Sequence, residues 1–132
     1  GGMTGVKHSR VFFTAKGEPV SKQRPRTYVT KAGKVQSSTP QKTLDAEANI
    51  AWEFKAKYAG WEPLGCEVRV DATFWTRSKV KDLDNMLKTV LDGLNGVVWH
   101  DDRQVAVIGA SVVRTEGDPY TRIEVSWVQD AA

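Results

Sequence analysis

Two short acidic segments, residues 81–85 and 99–103, contain the side chains best suited to chemistry. Between them they supply four aspartates: Asp82, Asp84, Asp101 and Asp102. Ionised carboxylates are the ligands that hard divalent cations prefer. If the four carboxylates meet, their mutual repulsion favours a cation among them, and Mg²⁺ fits an all-oxygen site best, with Mn²⁺ as an alternative. Such an ion would polarise a phosphoryl oxygen and orient a water molecule, which is the chemistry of phosphodiester hydrolysis.

Each of these residues also has a purely structural interpretation. Asp82 stands where a helix N-cap belongs, and adjacent aspartates in a loop are typical turn formers. Lys88 follows Asp84 by one helical turn, so it could hold a phosphate oxygen or simply pair with that carboxylate. The spacing alone does not bring the two segments together, so their convergence is a hypothesis.

The element between the acidic segments is predicted to be an amphipathic helix. Its polar side carries Asp84, Asn85, Lys88 and Asp92, and Gly96 is expected to end it. The opposite stripe has spacings of three and four: Leu83, Met86, Leu87, Val90, Leu91 and Leu94.

The remaining pattern predicts strands and one further helix. Thr39 is expected to cap that helix, with Pro40 as its first residue and Ala59 near its end. Strands are predicted over 10–15, 68–75, 105–113 and 122–128, and a hairpin over 27–36 around the turn 31–33. This order favours an α/β or α+β fold, a small mixed sheet of about four to five strands packed by two helices. We expect one domain over residues 3–130, with Gly1-Gly2 before Met3 a remnant of cloning.

The charge of the chain is divided unevenly along its length. Residues 1–38 contain eight Lys and Arg but one acid, a net +7, so the other 94 residues carry −4. This basic first segment favours an anionic partner such as nucleic acid. Phosphate contacts are expected from Lys22, Arg24, Arg26, Lys31 and Lys34. The single cysteine, Cys66, excludes an intrachain disulfide and a multi-cysteine metal site, and no apolar run is long enough to span a membrane.

The acidic segments and their helix resemble the RusA-type Holliday-junction resolvases of bacteria and their prophages. Three features carry the resemblance: a D-L-D-N start at Asp82, a lysine six residues later, and a W-x-D-D-x-Q-V segment from Trp99 to Val105. The stretch Gly17–Arg26 also looks like the basic N-terminal loop of prophage-type members.

This resemblance implies a metal-dependent endonuclease that acts as a homodimer on four-way DNA junctions, in recombination and repair within the bacterial cytoplasm. It implies that Asp82, Asp84 and Asp102 bind the metal and are catalytic, with Asp101 supporting them. The essential lysine of the family corresponds to Lys88. Lys81 stands where the family commonly has arginine. The lysine keeps the positive charge for DNA binding but lacks the bidentate fork of the guanidinium. His100 has no counterpart, and we interpret it as a loop histidine.

The sequence leaves the exact function and the dimer interface open. A nuclease of the same chemistry could prefer flaps or other branched DNA, and a non-catalytic DNA-binding module would use its aspartates only as caps and turns. A phosphatase acting on small molecules is a weaker alternative, because the basic loop would have little purpose. A dimer interface could come from a strand edge or from an aromatic cluster that could equally be core: Trp52, Phe54, Tyr58 and Trp61.

Overall fold

A computed structural model describes residues 6–79 and 82–130 of the chain. Its elements are β1 (Val6–Lys16), β2 (Arg26–Val29), β3 (Val35–Ser38), α1 (Gln41–Lys57), β4 (Val68–Thr76), α2 (Leu83–Leu94), a 3₁₀ turn (Asp102–Gln104), β5 (Val105–Arg114) and β6 (Tyr120–Asp130). The predicted mixed sheet packed by two helices is confirmed. Neither described helix is long and apolar enough to cross a membrane.

The main sheet has four strands in the order β1-β6-β4-β5. β4 and β5 are parallel, whereas β6 is antiparallel to both of its neighbours. Because α2 connects two parallel strands, it must run back across the sheet, antiparallel to both of them. Its first residues therefore lie at the end where β4 finishes, and its last residues lie where β5 begins. This crossover sets the distance between the two acidic segments.

The core lies between one face of the sheet and the two helices. On α2 the predicted apolar stripe is confirmed, since Met86, Val90 and Leu94 are buried. Gly93 lets the helices approach, because a Cβ there would meet the backbone oxygen of Glu47 in α1 at 3.0 Å. Residues without a side chain are favoured at such close crossings.

The start of α1 differs from the prediction by one residue. Pro40 itself is the N-cap, with an extended backbone (φ −55°, ψ 143°), and no side chain caps the helix. The fixed φ of proline suits this flanking position as well as the first helical one. Thr39 is therefore outside the helix rather than its cap.

The aromatic cluster of α1 belongs mostly to the core. Phe54 is fully buried, and Tyr58 and Trp61 pack against it at ring centroid distances of 5.1 and 5.5 Å. Trp52 differs, because 64% of its surface is exposed. Three of the four aromatics are thus explained by packing within the chain.

Candidate functional site

A groove of about 380 Å³ lies beside the first half of β5 and gathers several of the predicted residues. Lys88 and Asp92 reach it from α2, and Asp102 reaches it from the second acidic segment. Its remaining lining residues are Lys22, Leu91, Val105 and Ile108. The groove therefore brings the candidate catalytic lysine and one candidate metal ligand to the same surface.

Asp82 precedes α2, but its carboxylate does not cap the helix. The side-chain amide of Asn85 donates to Asp82 instead, with Nδ2 at 3.0 Å from each carboxylate oxygen. Asn85 also accepts hydrogen bonds at its backbone oxygen from Lys22 N–H and the Thr89 hydroxyl. Sequence reasoning did not assign a role to Asn85, although it is the last letter of the D-L-D-N segment.

Asp84 lies in the first turn of α2, where its side chain is exposed and the helix dipole favours an anion. The alternative that Asp84 merely pairs with Lys88 finds no support, since the ion pairs among the described residues do not join them. Both charged groups are therefore available for a ligand.

The second acidic segment forms a tight turn in which its two aspartates differ. Asp101 caps the 3₁₀ turn by accepting from the N–H of Arg103 at 2.9 Å, and it also pairs with the Arg103 guanidinium. That backbone hydrogen bond lowers the pKa of Asp101. Asp102 accepts at Oδ1 from the indole N–H of Trp99 at 2.9 Å. The turn-former interpretation thus suits Asp101, whereas Asp102 is held from one side and faces the groove.

Gln104 fixes this turn to the neighbouring loop. Its Oε1 accepts from the backbone N–H groups of His100 and Asp101, at 3.0 and 2.9 Å. Its Nε2 donates to the backbone oxygens of Leu64 and Cys66. This accounts for the glutamine of the W-x-D-D-x-Q-V segment, to which sequence reasoning gave no function. His100 is exposed and takes part through its backbone, as expected of a loop histidine.

The predicted DNA-binding residues occupy different environments. Lys22 is an internal clamp: its ammonium lies 2.5 Å from Asp92 and 2.9 Å from Glu47, and the Asp92 hydrogen bond raises its pKa. Arg24, Lys31 and Lys34 are exposed. Arg26 is in β2, but its side chain is outside the described part, as is the whole of Lys81.

Glu18, the one acid in the basic first segment, fastens the basic loop to the chain that leads into α2. Its carboxylate accepts from the Thr76 hydroxyl and from the backbone N–H groups of Arg77 and Ser78. Together with the Lys22 clamp, this contact ties the loop to both sides of the first acidic segment. A lone acid within a basic segment is the sequence signal that could have indicated this contact.

The two acidic segments do not converge within one chain. They lie toward opposite ends of α2, whose 12 residues correspond to about 18 Å at 1.5 Å per residue. Among residues 6–79 and 82–130, no group of three His, Cys, Asp or Glu side chains could hold a metal ion. The donor chemistry still suits a hard cation, because every candidate ligand is a carboxylate.

A sequence model of the family described as endodeoxyribonuclease RusA matches residues 16–126 of this 132-residue chain. The chain belongs to the RusA family. The match runs from the end of β1 into β6, so it includes the basic loop, both acidic segments and the groove. Among curated proteins, none is similar enough to count as a relative. The family resemblance expected from the sequence is confirmed, and membership of the RusA family identifies the chain as an endodeoxyribonuclease.

Proposed function

We propose that this protein is a Mg²⁺-dependent endodeoxyribonuclease that resolves four-way DNA junctions. The family match across both acidic segments carries the proposal. We assign the activity to recombination and repair in the cytoplasm of a bacterium, encoded by the host or by a prophage. The groove beside β5 supports it, because Lys88, which has no ion pair among the described residues, and the Asp102 carboxylate held by Trp99 face the same space there.

The residues of the two acidic segments and Lys88 divide the work of phosphodiester hydrolysis. Lys88 holds a non-bridging phosphate oxygen and so positions the strand. Asp82, Asp84 and Asp102 hold the metal, with Asp101 fixing the turn beside Asp102. When bound, Mg²⁺ supplies polarisation of the scissile phosphate and offsets charge on the leaving oxygen. The exposed Arg24, Lys31 and Lys34 add phosphate contacts that position DNA without reading its sequence.

A homodimer completes this proposal, and the free edge of β5 is its best interface. At the opposite edge, α1 covers β1, since Tyr58 and Lys57 hydrogen-bond the backbone of Phe12. The described chain offers β5 no such cover, and its exposed residues include Val107 and Ile108, at 47% and 46%. A long, apolar, unpaired edge is a template for pairing with another strand.

Antiparallel pairing of two β5 edges about a twofold axis would also unite the acidic segments. The start of β5 in one protomer then lies beside the end of β5 in the other, on the side where α2 begins. Asp102 of the partner subunit would thereby approach Asp84. Two equivalent composite sites result, which suits a junction that is cut on two symmetry-related strands.

Cleavage of synthetic DNA tests the proposal directly. Radiolabelled four-way junction, flap and linear duplex of matched sequence are incubated at one salt concentration, with Mg²⁺ or with chelator. We expect paired nicks in the junction with Mg²⁺ alone. Preferred cutting of the flap would assign the protein to the related flap nucleases. Junction binding without any Mg²⁺-dependent cleavage would favour the non-catalytic module.

A further inference from the structure

The hairpin of β2 and β3 forms a small sheet separate from the main one. Its strands pair with each other from Arg26 opposite Ser38 to Val29 opposite Val35. At the turn, Thr30 N–H donates to Lys34 O at 2.8 Å, and the positive φ of Gly33 (79°) closes the loop. An isolated two-stranded hairpin is only marginally stable in water. Such an element gains order when another surface packs on it.

Both faces of this hairpin expose apolar side chains. Val29 and Val35, opposite each other on one face, are 68% and 72% exposed. Tyr28 on the other face is 49% exposed, and its hydroxyl donates to Gln36 Oε1 at 2.8 Å. The hairpin end is therefore an apolar wedge that nothing in the described chain covers.

The charges that flank this wedge along the chain are of one sign. No Asp or Glu occurs between Glu18 and Asp45. Lys31 and Lys34, both exposed, lie in the turn directly beyond the two valines. A positive frame around an apolar tip disfavours contact with the same hairpin of a second copy, because like charges would meet. It is complementary to DNA, whose apolar base faces are surrounded by phosphates.

We infer that the β2–β3 hairpin inserts its Val29–Val35 tip at the branch point of a DNA junction. The two valines pack on the base-pair faces that the crossover exposes, and Lys31 and Lys34 bind the flanking phosphates. Apolar wedges enter between base steps in this way in many DNA-bending proteins. The inference rests on the proposed function and adds how a junction is distinguished from a duplex, whose interior bases are stacked.

Binding measured in chelator tests the inference apart from cleavage. The double variant Val29→Thr/Val35→Thr keeps the β-branched shape, so the hairpin fold is retained. We expect it to weaken junction affinity about tenfold, with little change for linear duplex, which binds mainly through phosphates. Val128→Thr makes the same change at another exposed valine (52%), in β6, and should alter neither affinity.

A second measurement uses the unmodified protein. The fluorescence of a 2-aminopurine base at the crossover should increase when the protein binds, because insertion unstacks the base. The fluorescence of the same base within an arm should not change. The inference is overturned if the fluorescence of the crossover base does not increase on binding, or if the double variant binds the junction as tightly as the wild-type protein. It is also overturned if the double variant turns a dimer into a monomer, which would make a second copy the occupant. If the wild-type protein cleaves the junction but any of these results overturns the inference, the proposed function still holds.

Discussion

Asp84 is the carboxylate whose removal should best separate binding from cleavage. It is exposed in the first turn of α2, with no ion-pair partner in the described chain, so Asp84→Asn removes a charge without breaking a structural contact. We expect junction cleavage to be lost while junction affinity in chelator stays within about threefold of wild type, since phosphate contacts elsewhere dominate affinity. If the Asp84→Asn variant cuts the junction at the wild-type rate in Mg²⁺, the assignment of Asp84 to the site is wrong.

Trp99 is a positioning residue in this interpretation, because its indole N–H holds Asp102 at 2.9 Å. Trp99→Phe keeps an aromatic ring in the buried position, removes the donor and leaves part of the indole volume unfilled. Loss of such a supporting contact typically weakens metal affinity about 10–100-fold. The expected result is a higher Mg²⁺ concentration for half-maximal cleavage, with recovery at saturating Mg²⁺. Trp127→Phe, which loses an indole contact to Gln129, is the control and should not shift that concentration.

The crossing of α1 and α2 depends on Gly93 at the scale of the element. A methyl group there would lie 3.0 Å from the backbone oxygen of Glu47 and 3.3 Å from Cβ of Ile50. Gly93→Ala should therefore lower the free energy of unfolding by about 1–3 kcal/mol, as overpacking of a close-packed core does. Urea denaturation measures this change. An unchanged or raised midpoint would show that the helices can separate at little cost.

The basic loop is docked by the Lys22 clamp, which gives that element a pH dependence. Its bonds to Asp92 and Glu47 raise the pKa of Lys22 above 10.5 in the folded chain. The clamp's contribution to stability is therefore complete below pH 10.5 and is lost as pH rises through the folded pKa.

Unfolding of Lys22→Met and wild type in urea at several pH values measures this contribution. The difference in the free energy of unfolding between the two proteins should become smaller as the pH rises into the alkaline range. Lys88→Met makes the same chemical change at a lysine that has no ion pair among the described residues, so it is the control for the loss of a lysine charge. A Lys22→Met difference that is constant through the alkaline range would mean that the clamp does not dock the loop.

The elements were largely predictable because their patterns are local. The stripe on α2 and the alternation in β4 each specify one buried face, and both are confirmed. The polar contacts of the site were not predictable, since Gln104 reaches Leu64 across 40 positions of sequence, and Glu18 reaches Thr76 across 58. Such contacts follow from the tertiary arrangement, which residue spacing does not encode. The distance between the acidic segments was likewise set by the β4–α2–β5 crossover.

At the scale of the whole molecule, the two acidic segments lie toward opposite ends of α2, whereas the proposed metal site needs carboxylates from both of them. The proposed pairing of β5 edges would bring them together by building each site from two protomers. Mixed dimers can therefore distinguish a composite site from one within a single chain. Asp84→Asn and Asp102→Asn should each be inactive alone, since every site in either homodimer lacks one carboxylate.

Co-refolding the two inactive variants in equal amounts gives mixed dimers in which one site receives both substitutions and the other receives neither. Half of the dimers are mixed at random association, so nicking should return to about one quarter of the wild-type rate. If each site were built within one chain, every site would still carry one substitution, and the mixture would stay inactive. Light scattering on the same mixture shows whether dimers have formed. If dimers are present and the mixture does not nick the junction, the composite site is excluded.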